Sequence, residues 1–142
     1  MALPLPEPGL VVSYAYLWHR EAALGRFEGV KNRPCVIILK VERQDDSVIV
    51  TVSPITHSPP PEGCAALEIP PAVKHHLGLD GERSWIVLDE LNQFAWPGFD
   101  LRPVPGKAGR IDYGFLPPKL FARIVGGIRD VWRKAQGKSV TR

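Results

Sequence analysis

The chain is organised around a stretch that runs from Asn32 to His57 and reads NRPCVIILKVERQDDSVIVTVSPITH. Two runs rich in β-branched residues flank a short polar break, and this pattern predicts a β-hairpin. A turn centred between Gln44 and Asp45 gives a register in which one face of the hairpin is wholly apolar, as a buried sheet face requires. The predicted pairs are Cys35 with Pro54, Ile37 with Val52, Leu39 with Val50 and Val41 with Val48.

The open end of this hairpin gathers polar side chains. The same register sets Arg33 opposite Thr56, and His57 follows directly. Because adjacent residues on a strand face opposite ways, we expect His57 to point away from Arg33 unless the bend at Pro54 reorients it. The sequence thus predicts that a guanidinium and a hydroxyl meet at one end of the hairpin, with an imidazole nearby.

Composition narrows the class of protein. The 142 residues are 44% hydrophobic and 23% charged, which is typical of one soluble globular domain. A net charge of +3 permits binding to an anionic polymer. The two cysteines, Cys35 and Cys64, lie far apart, so we expect neither a metal site nor a disulfide scaffold. The N-terminus does not read as a signal peptide, and no apolar run approaches the ~20 residues of a membrane span. We therefore expect a cytoplasmic protein with no membrane partner.

The rest of the chain predicts short strands and two helices in a single domain spanning residues 1–142. Residues 1–8 read as an extended proline-rich arm, and residues 9–116 as a barrel with loops and a short helix from Pro71 to about Leu77. Residues 117–136 predict an amphipathic helix, and residues 137–142 a frayed basic tail. The predicted fold class is mainly β (α+β), a small, partly open β-barrel with a short helix and a C-terminal amphipathic helix.

An ordered set of segments resembles the MazF/PemK-type toxins of toxin–antitoxin systems. The segments are Gly9-Leu10-Val11-Val12, then EGVKNRP at residues 28–34, then Pro54-Ile55-Thr56, then SWIVLD at residues 84–89. The resemblance implies an SH3-like barrel, a homodimer, and metal-independent cleavage of single-stranded RNA without a cofactor. It also implies growth inhibition by mRNA degradation and a cognate antitoxin protein that covers the RNA groove. One departure stands out, because many family members carry an arginine where this chain has Asp89-Glu90-Leu91-Asn92.

Matched by position, the resemblance puts Arg33 and Thr56 in the catalytic roles. A guanidinium stays charged and presents a fork of donors that fits phosphate oxygens, and a threonine hydroxyl can donate to the same group. Cleavage also needs a proton acceptor and a proton donor. Three residues stay open for these tasks, namely His57, Glu28 and His19. The candidates for RNA binding are Lys31, Arg26, Arg20, Asn92 and Trp18.

Other interpretations of the same sequence also stay open. Arg33 could be a surface arginine paired with Glu28, and Trp18 could anchor the loop instead of stacking on a base. At the level of the whole protein, the alternative is a non-catalytic SH3-like module that binds a protein or a nucleic acid through the same groove. A further alternative is a toxin of this fold that poisons a protein target such as a topoisomerase.

Overall fold

We describe the protein from a computed structural model, which covers residues 3–26, 31–134 and 137–142. Within these residues the fold is mainly β, as predicted. The strands are β1 (Leu10–Tyr14), β2 (Arg33–Glu42), β3 (Val48–Thr56), β4 (Ala66–Glu68), β5 (Trp85–Val87), β6 (Glu90–Ala95), β7 (Asp112–Phe115) and β8 (Lys138–Thr141). The helices are α1 (His19–Ala23), α2 (Pro71–Leu77) and α3 (Pro118–Arg133).

The predicted hairpin is formed by β2 and β3, and its register is right only at the open end. Cys35 pairs with Pro54 and Ile37 with Val52, as predicted. The register then shifts by one residue, and the following pairs are Leu39 with Thr51, Lys40 with Val50, Val41 with Ile49 and Glu42 with Val48. The predicted pairs of Leu39 with Val50 and Val41 with Val48 are therefore wrong.

A β-bulge at Ile38 explains the shift. A bulge places one extra residue on one strand, so every side chain beyond it turns to the other face of the sheet. Leu39 and Val41 consequently lie outside the core and are 52% and 48% exposed. The apolar face predicted for the whole hairpin is continuous only between its open end and the bulge.

β3 is the central strand of the sheet. One edge pairs with β2, while the other is shared between β6, along Ile49 to Val52, and β5, at Ile55 and Thr56. The strand order is β4-β5-β3-β2-β1-β7, and β6 also pairs in parallel with β8. Among the described residues this sheet does not close into a barrel. The shared edge brings the end of β3, the start of β5 and the loop before β6 to one place.

Two hydrophobic clusters lie on the two faces of this sheet. One is covered by α3, whose Leu120, Ile124 and Ile128 are buried against residues of the sheet that include Val11 and Val36. The other is rich in aromatic residues, with Tyr14 stacked on Phe94 at a centroid distance of 4.8 Å. The amphipathic pattern predicted for residues 117–136 thus holds from Pro118 to Arg133, and residues 135–136 lie outside the described residues. No helix of the described chain is long and apolar enough to cross a membrane.

The C-terminal residues correct the prediction of a frayed basic tail. Residues 138–141 form β8, which pairs in parallel with β6 from Glu90 to Gln93. Arg142 follows, and its guanidinium binds the carboxylate of Asp100 at 2.9 Å with a side chain only 6% exposed. It also donates to the carbonyl of Ala15 at 2.9 Å. These distant partners hold the tail in place, and the local sequence contains no sign of them.

α2 and the turn after it follow the sequence closely. Proline opens this helix, and Gly78 ends it in the left-handed conformation at a φ of 70°. A residue with a Cβ is strained in that conformation, so a glycine is the expected stop. The strands β5 and β6 follow each other closely in the chain but pair with different parts of β3.

Candidate functional site

Arg33 and Thr56 line one cavity of about 290 Å³, as the hairpin predicted. Arg33 is the first residue of β2 and Thr56 the last residue of β3, so strand pairing carries both to the same edge. The cavity, here called the aromatic cavity, is lined by Trp18, Arg20, Arg33, Thr56, Ser58, Pro59, Pro60, Pro61, Cys64, Ala65, Ala66, Trp85, Val87, Asp89 and Glu90. Its walls include two indole rings and three prolines, with two cationic and two acidic side chains.

The guanidinium of Arg33 is held over the ring of Trp18, with its Cζ 5.0 Å from the ring centroid. Its Nε is buried and has no hydrogen-bond partner among the described residues. Burial lowers the pKa of Arg33, an effect that the charge of Glu21 partly offsets. No carboxylate of the described chain lies within 4.0 Å of this guanidinium. An anion entering the cavity would therefore meet a positioned positive charge without a competing ion pair.

Trp18 is itself fixed by its neighbours. It precedes α1, and its backbone N–H donates to the Glu21 carboxylate at 3.1 Å. Its ring meets Tyr16 edge to face at 5.0 Å, and the Cζ of Arg20 lies 5.2 Å from its centroid. Trp18 thus carries two guanidinium groups, those of Arg20 and Arg33. A cation over an indole ring is attracted by the ring quadrupole, which orients both groups.

Thr56 offers a donor at the same place. Its backbone pairs with Trp85 of β5, and its half-buried hydroxyl oxygen accepts a hydrogen bond from the backbone N–H of Ser58 at 3.2 Å. A hydroxyl can accept and donate at once. No acceptor for the Thr56 hydroxyl proton occurs among the described residues, so the proton is available to a phosphate oxygen.

Glu90 is a cavity residue that the sequence analysis did not select as a proton acceptor. Burial raises the pKa of this carboxyl, and the charge of Asp89 adds to the effect. The backbone N–H of His19 donates to Glu90 Oε1 at 2.9 Å and opposes the shift. The sequence carried a signal for this residue, because Asp89 and Glu90 are adjacent carboxylates directly after a predicted strand.

His57 is not among the residues that line the aromatic cavity. Its Nε2 lies 2.8 Å from the Asp80 carboxylate, and its Nδ1 lies 3.0 Å from the hydroxyl of Ser84. The buried ammonium of Lys74 donates to both Asp80 and Ser84 at 2.8 Å, and also to the carbonyl of Glu82. Burial alone would raise the pKa of Asp80, but the hydrogen bonds from Lys74 and Glu82 hold it below its ordinary value. This closed network ties α2 to the ends of β3 and β5.

The His57 side chain belongs to a second cavity of about 540 Å³. This cavity, here called the basic cavity, is lined by Lys31, Asn32, Arg33, Pro34, Ile55, His57, Gly78, Leu79, Asp80, Ser84, Val104, Pro105, Lys107 and Tyr113. Arg33 lines both cavities, so it stands between them.

One group of donors near the basic cavity suits a metal ion by residue type. His57, Asp80 and Glu82 are exposed, and one ligand atom of each lies within 4.8 Å of the others. Imidazole and carboxylate are common ligands of divalent transition metals. The Lys74 ammonium competes for the same Asp80 carboxylate at 2.8 Å. A cation would have to share Asp80 with a buried positive charge.

The structure separates the remaining predicted site residues. Lys31 lines the basic cavity and Arg20 the aromatic cavity. Arg26 is exposed and lies 3.5 Å from the carboxylate of Glu21. The His19 side chain lines neither cavity, although its backbone binds Glu90. Glu28 lies outside the described residues.

Asn92 corrects a prediction. It was expected to bind RNA, but its side chain is completely buried. Its Oδ1 accepts from the backbone N–H of Leu17 at 3.0 Å, and its Nδ2 donates to the Leu17 carbonyl at 2.8 Å. A carboxamide engaged on both sides within the core cannot reach a ligand. Asn92 instead fixes the residue that precedes Trp18.

The fold and the site define a mainly β protein with an arginine held between an aromatic and a basic cavity. No protein-family profile, no curated protein and no solved structure matches the chain.

Proposed function

We propose that the protein is a metal-independent endoribonuclease that cleaves single-stranded RNA in the aromatic cavity. The observation that carries the proposal is the convergence of Arg33 and Thr56 in that cavity, with a guanidinium that has no carboxylate partner among the described residues. Hairpin register and family resemblance select the same two residues on different grounds. The rings of Trp18 and Trp85 also line this cavity, with Arg20 and Arg33 over the first and Arg83 over the second.

The proposed reaction uses the 2′-hydroxyl of the RNA as nucleophile. Its oxygen attacks the adjacent phosphorus, the bond from phosphorus to O5′ breaks, and the products end in a 2′,3′-cyclic phosphate and a 5′-hydroxyl. Glu90 takes the proton of the 2′-hydroxyl, and O5′ takes a proton from water. Arg33 stabilises the charge that develops on the phosphorane, and Thr56 donates to one of its oxygens.

Glu90 is the group in the aromatic cavity best suited to accept the proton. Its pKa is raised by burial, and a base is most effective when its pKa lies close to the working pH. The side chains of His57 and His19 do not line the aromatic cavity, and Glu28 lies outside the described residues. Among the described residues of this cavity we therefore propose Glu90 as the proton acceptor.

The biological part of the proposal rests on the resemblance to the MazF/PemK-type toxins. It comprises an SH3-like arrangement of the strands, a homodimer, cytoplasmic location and a role as the toxin of a type II toxin–antitoxin system. Growth would stop through mRNA degradation, and a cognate antitoxin would cover the RNA groove. The positive net charge of the chain suits both an RNA substrate and an acidic antitoxin.

Incubation of the purified protein with single-stranded RNAs of varied sequence in EDTA tests the activity. We expect fragments that end in a 2′,3′-cyclic phosphate. Arg33→Ala should lower the rate by about 10²–10³, as removal of one oxyanion donor does in other enzymes. Arg43→Ala is the matched control, because Arg43 is exposed in the turn at the far end of the same hairpin. RNA that stays intact across the whole set would refute the proposal.

A second candidate function is a non-catalytic module that binds RNA or a protein through the same cavity. The two carboxylates at Asp89 and Glu90 favour it, because they balance the charges of Arg20 and Arg33 and weaken attraction to phosphate. The two functions differ in their response to Glu90→Gln. This variant should abolish cleavage by an enzyme that uses Glu90 as a base, whereas a binding module should hold RNA without cutting it and bind more tightly when this negative charge is lost.

A further inference from the structure

The basic cavity differs from the aromatic cavity in charge. Its lining carries the cationic side chains of Lys31, Arg33 and Lys107 against the single carboxylate of Asp80. That carboxylate already binds the Lys74 ammonium and the His57 imidazole, each at 2.8 Å. These two partners offset its negative charge, although the Asp80 side chain is 53% exposed. The cationic side chains of the lining therefore outnumber its carboxylates.

Lys107 is held in position within the wall of the basic cavity. It lies in a segment with two tight turns, where its backbone N–H donates to Val104 and its carbonyl accepts from Arg110. Val104 is buried and anchors the segment. The Lys107 ammonium lies beside Gly78, 3.9 Å from the position that a Cβ on that glycine would occupy. No carboxylate of the described chain lies within 4.0 Å of Lys107, so its charge is available to a ligand.

Arg33 joins the two cavities, because it lines both. A strand that binds at Arg33 is therefore adjacent to both cavities. The volume of the basic cavity, about 540 Å³, lies in the range of small-ligand sites.

We propose that the basic cavity is a phosphate subsite for single-stranded RNA, in which Lys107 and Lys31 hold a phosphodiester next to the one at Arg33. This inference rests on the proposed function, since it extends the same RNA strand beyond the cleavage point. The subsite makes affinity depend on the length of the strand. A dinucleotide with a single phosphodiester is held at Arg33 alone, whereas longer strands also engage Lys107.

The test is fluorescence anisotropy with labelled 2′-O-methyl RNAs of two, four and eight nucleotides, which cannot be cleaved by 2′-oxygen attack. Lys107→Ala should weaken binding of the eight-nucleotide strand roughly fivefold, the scale of one exposed ion pair. The slope of log affinity against log salt should fall by about 0.7, the value for one phosphate contact on a single strand. Affinity for the dinucleotide should not change. Lys107→Arg should restore the longer strand, because it restores the charge.

Lys119→Ala is the matched control, because Lys119 is an exposed lysine on the first turn of α3 and lines neither cavity. Equal affinities of Lys107→Ala and Lys119→Ala for the eight-nucleotide strand would overturn the subsite. Displacement of the strand by polyglutamate with the same dependence on Lys107 would overturn the assignment to nucleic acid. The subsite and the proposed ribonuclease activity are refuted by different results. Length-dependent binding through Lys107 without any cleavage in EDTA keeps the subsite and refutes the ribonuclease, and cleavage without an effect of Lys107 does the reverse.

Discussion

Replacement of Asn92 by alanine tests the reassignment of this residue from RNA contact to internal anchor. The carboxamide is fully buried and makes reciprocal hydrogen bonds to Leu17, with its Oδ1 accepting at 3.0 Å and its Nδ2 donating at 2.8 Å. Nδ2 also donates to the Leu91 carbonyl at 3.2 Å, and the Arg142 guanidinium donates to Oδ1 at 3.4 Å. Asn92→Ala removes all of these partners at once.

The magnitude follows from the groups left behind. The N–H and the carbonyl of Leu17 both lose their partner, and each unsatisfied buried backbone group costs about 1–3 kcal/mol. The space vacated by the carboxamide adds to the loss, since a core relaxes only partly around a cavity. We expect the free energy of unfolding to fall by about 3–4 kcal/mol in total, within the range of large mutational effects. That is a large part of the ~5–15 kcal/mol that stabilises a typical domain.

Urea denaturation followed by tryptophan fluorescence measures this loss. Asn32→Ala is the matched control, because Asn32 is the same residue type in an exposed position, and it should change stability by less than about 0.5 kcal/mol. An Asn92→Ala protein within about 1 kcal/mol of the wild type would refute the anchoring role. Weaker RNA binding at unchanged stability would restore the original prediction.

Three further perturbations test other parts of the structure. Arg142→Ala leaves the mostly buried carboxylate of Asp100 without its ion pair, so the free energy of unfolding, measured by urea denaturation, should fall by about 3–5 kcal/mol. A fall of less than about 0.5 kcal/mol would support the original prediction of a frayed tail. Lys74→Met keeps a buried side chain of similar length but removes the donors to Asp80 and Ser84, so the free energy of unfolding should fall by about 2 kcal/mol in the same assay. An unchanged free energy of unfolding would show that the network does not stabilise the fold. Glu90→Gln tests the raised pKa of Glu90. A raised carboxyl pKa means that the folded state holds its proton more tightly, so wild-type stability should fall relative to this variant as pH rises from about 4 toward 7, and parallel profiles would contradict the shift.

The open end of the hairpin could be predicted because Thr51 and Ser53 mark one face of β3, which leaves Val52 on the other face. Ile37 faces Val52 in the sequence pattern and in the structure. The shift at Ile38 could not be predicted, because Val36, Ile37, Ile38 and Leu39 are all apolar and such a run fits either face. Periodicity fixes a register only where polar residues mark one side. The bulge falls in the part of the strand that has no such mark.

Contacts between distant residues account for the other errors. Asn92 meets Leu17 across 75 residues of sequence, and Arg142 meets Asp100 across 42. Nothing near residue 142 distinguishes an arginine that pairs in the core from one that frays in solvent. The tail was predicted to be frayed because its residues are basic, and charge is a local property. Its ordered structure depends instead on pairing with β6.

The candidate site also has one part that the sequence predicts and another that it does not. Arg33 and Thr56 were placed together correctly, because their pairing lies on the open side of the bulge, where the register holds. The sequence did not indicate Glu90 as a base because its suitability comes from burial, and its neighbours include the start of α1, where the His19 backbone N–H binds its carboxyl. Strand geometry near a site can be read from sequence, whereas the environment that tunes a carboxyl group is built by the rest of the chain.

Asn92 links stability to the proposed activity. It fixes Leu17, the next residue is Trp18, and the ring of Trp18 carries the guanidinium of Arg33 at 5.0 Å. Loss of this anchor should therefore lower RNA cleavage even though Asn92 touches no RNA. The effect of Asn92→Ala on activity should grow with temperature as the variant approaches its unfolding transition, whereas the effect of Arg33→Ala should stay constant well below that transition. A defect that persists where the variant is fully folded would come from displacement of Trp18 and Arg33, whereas full activity at those temperatures would contradict the link through Leu17.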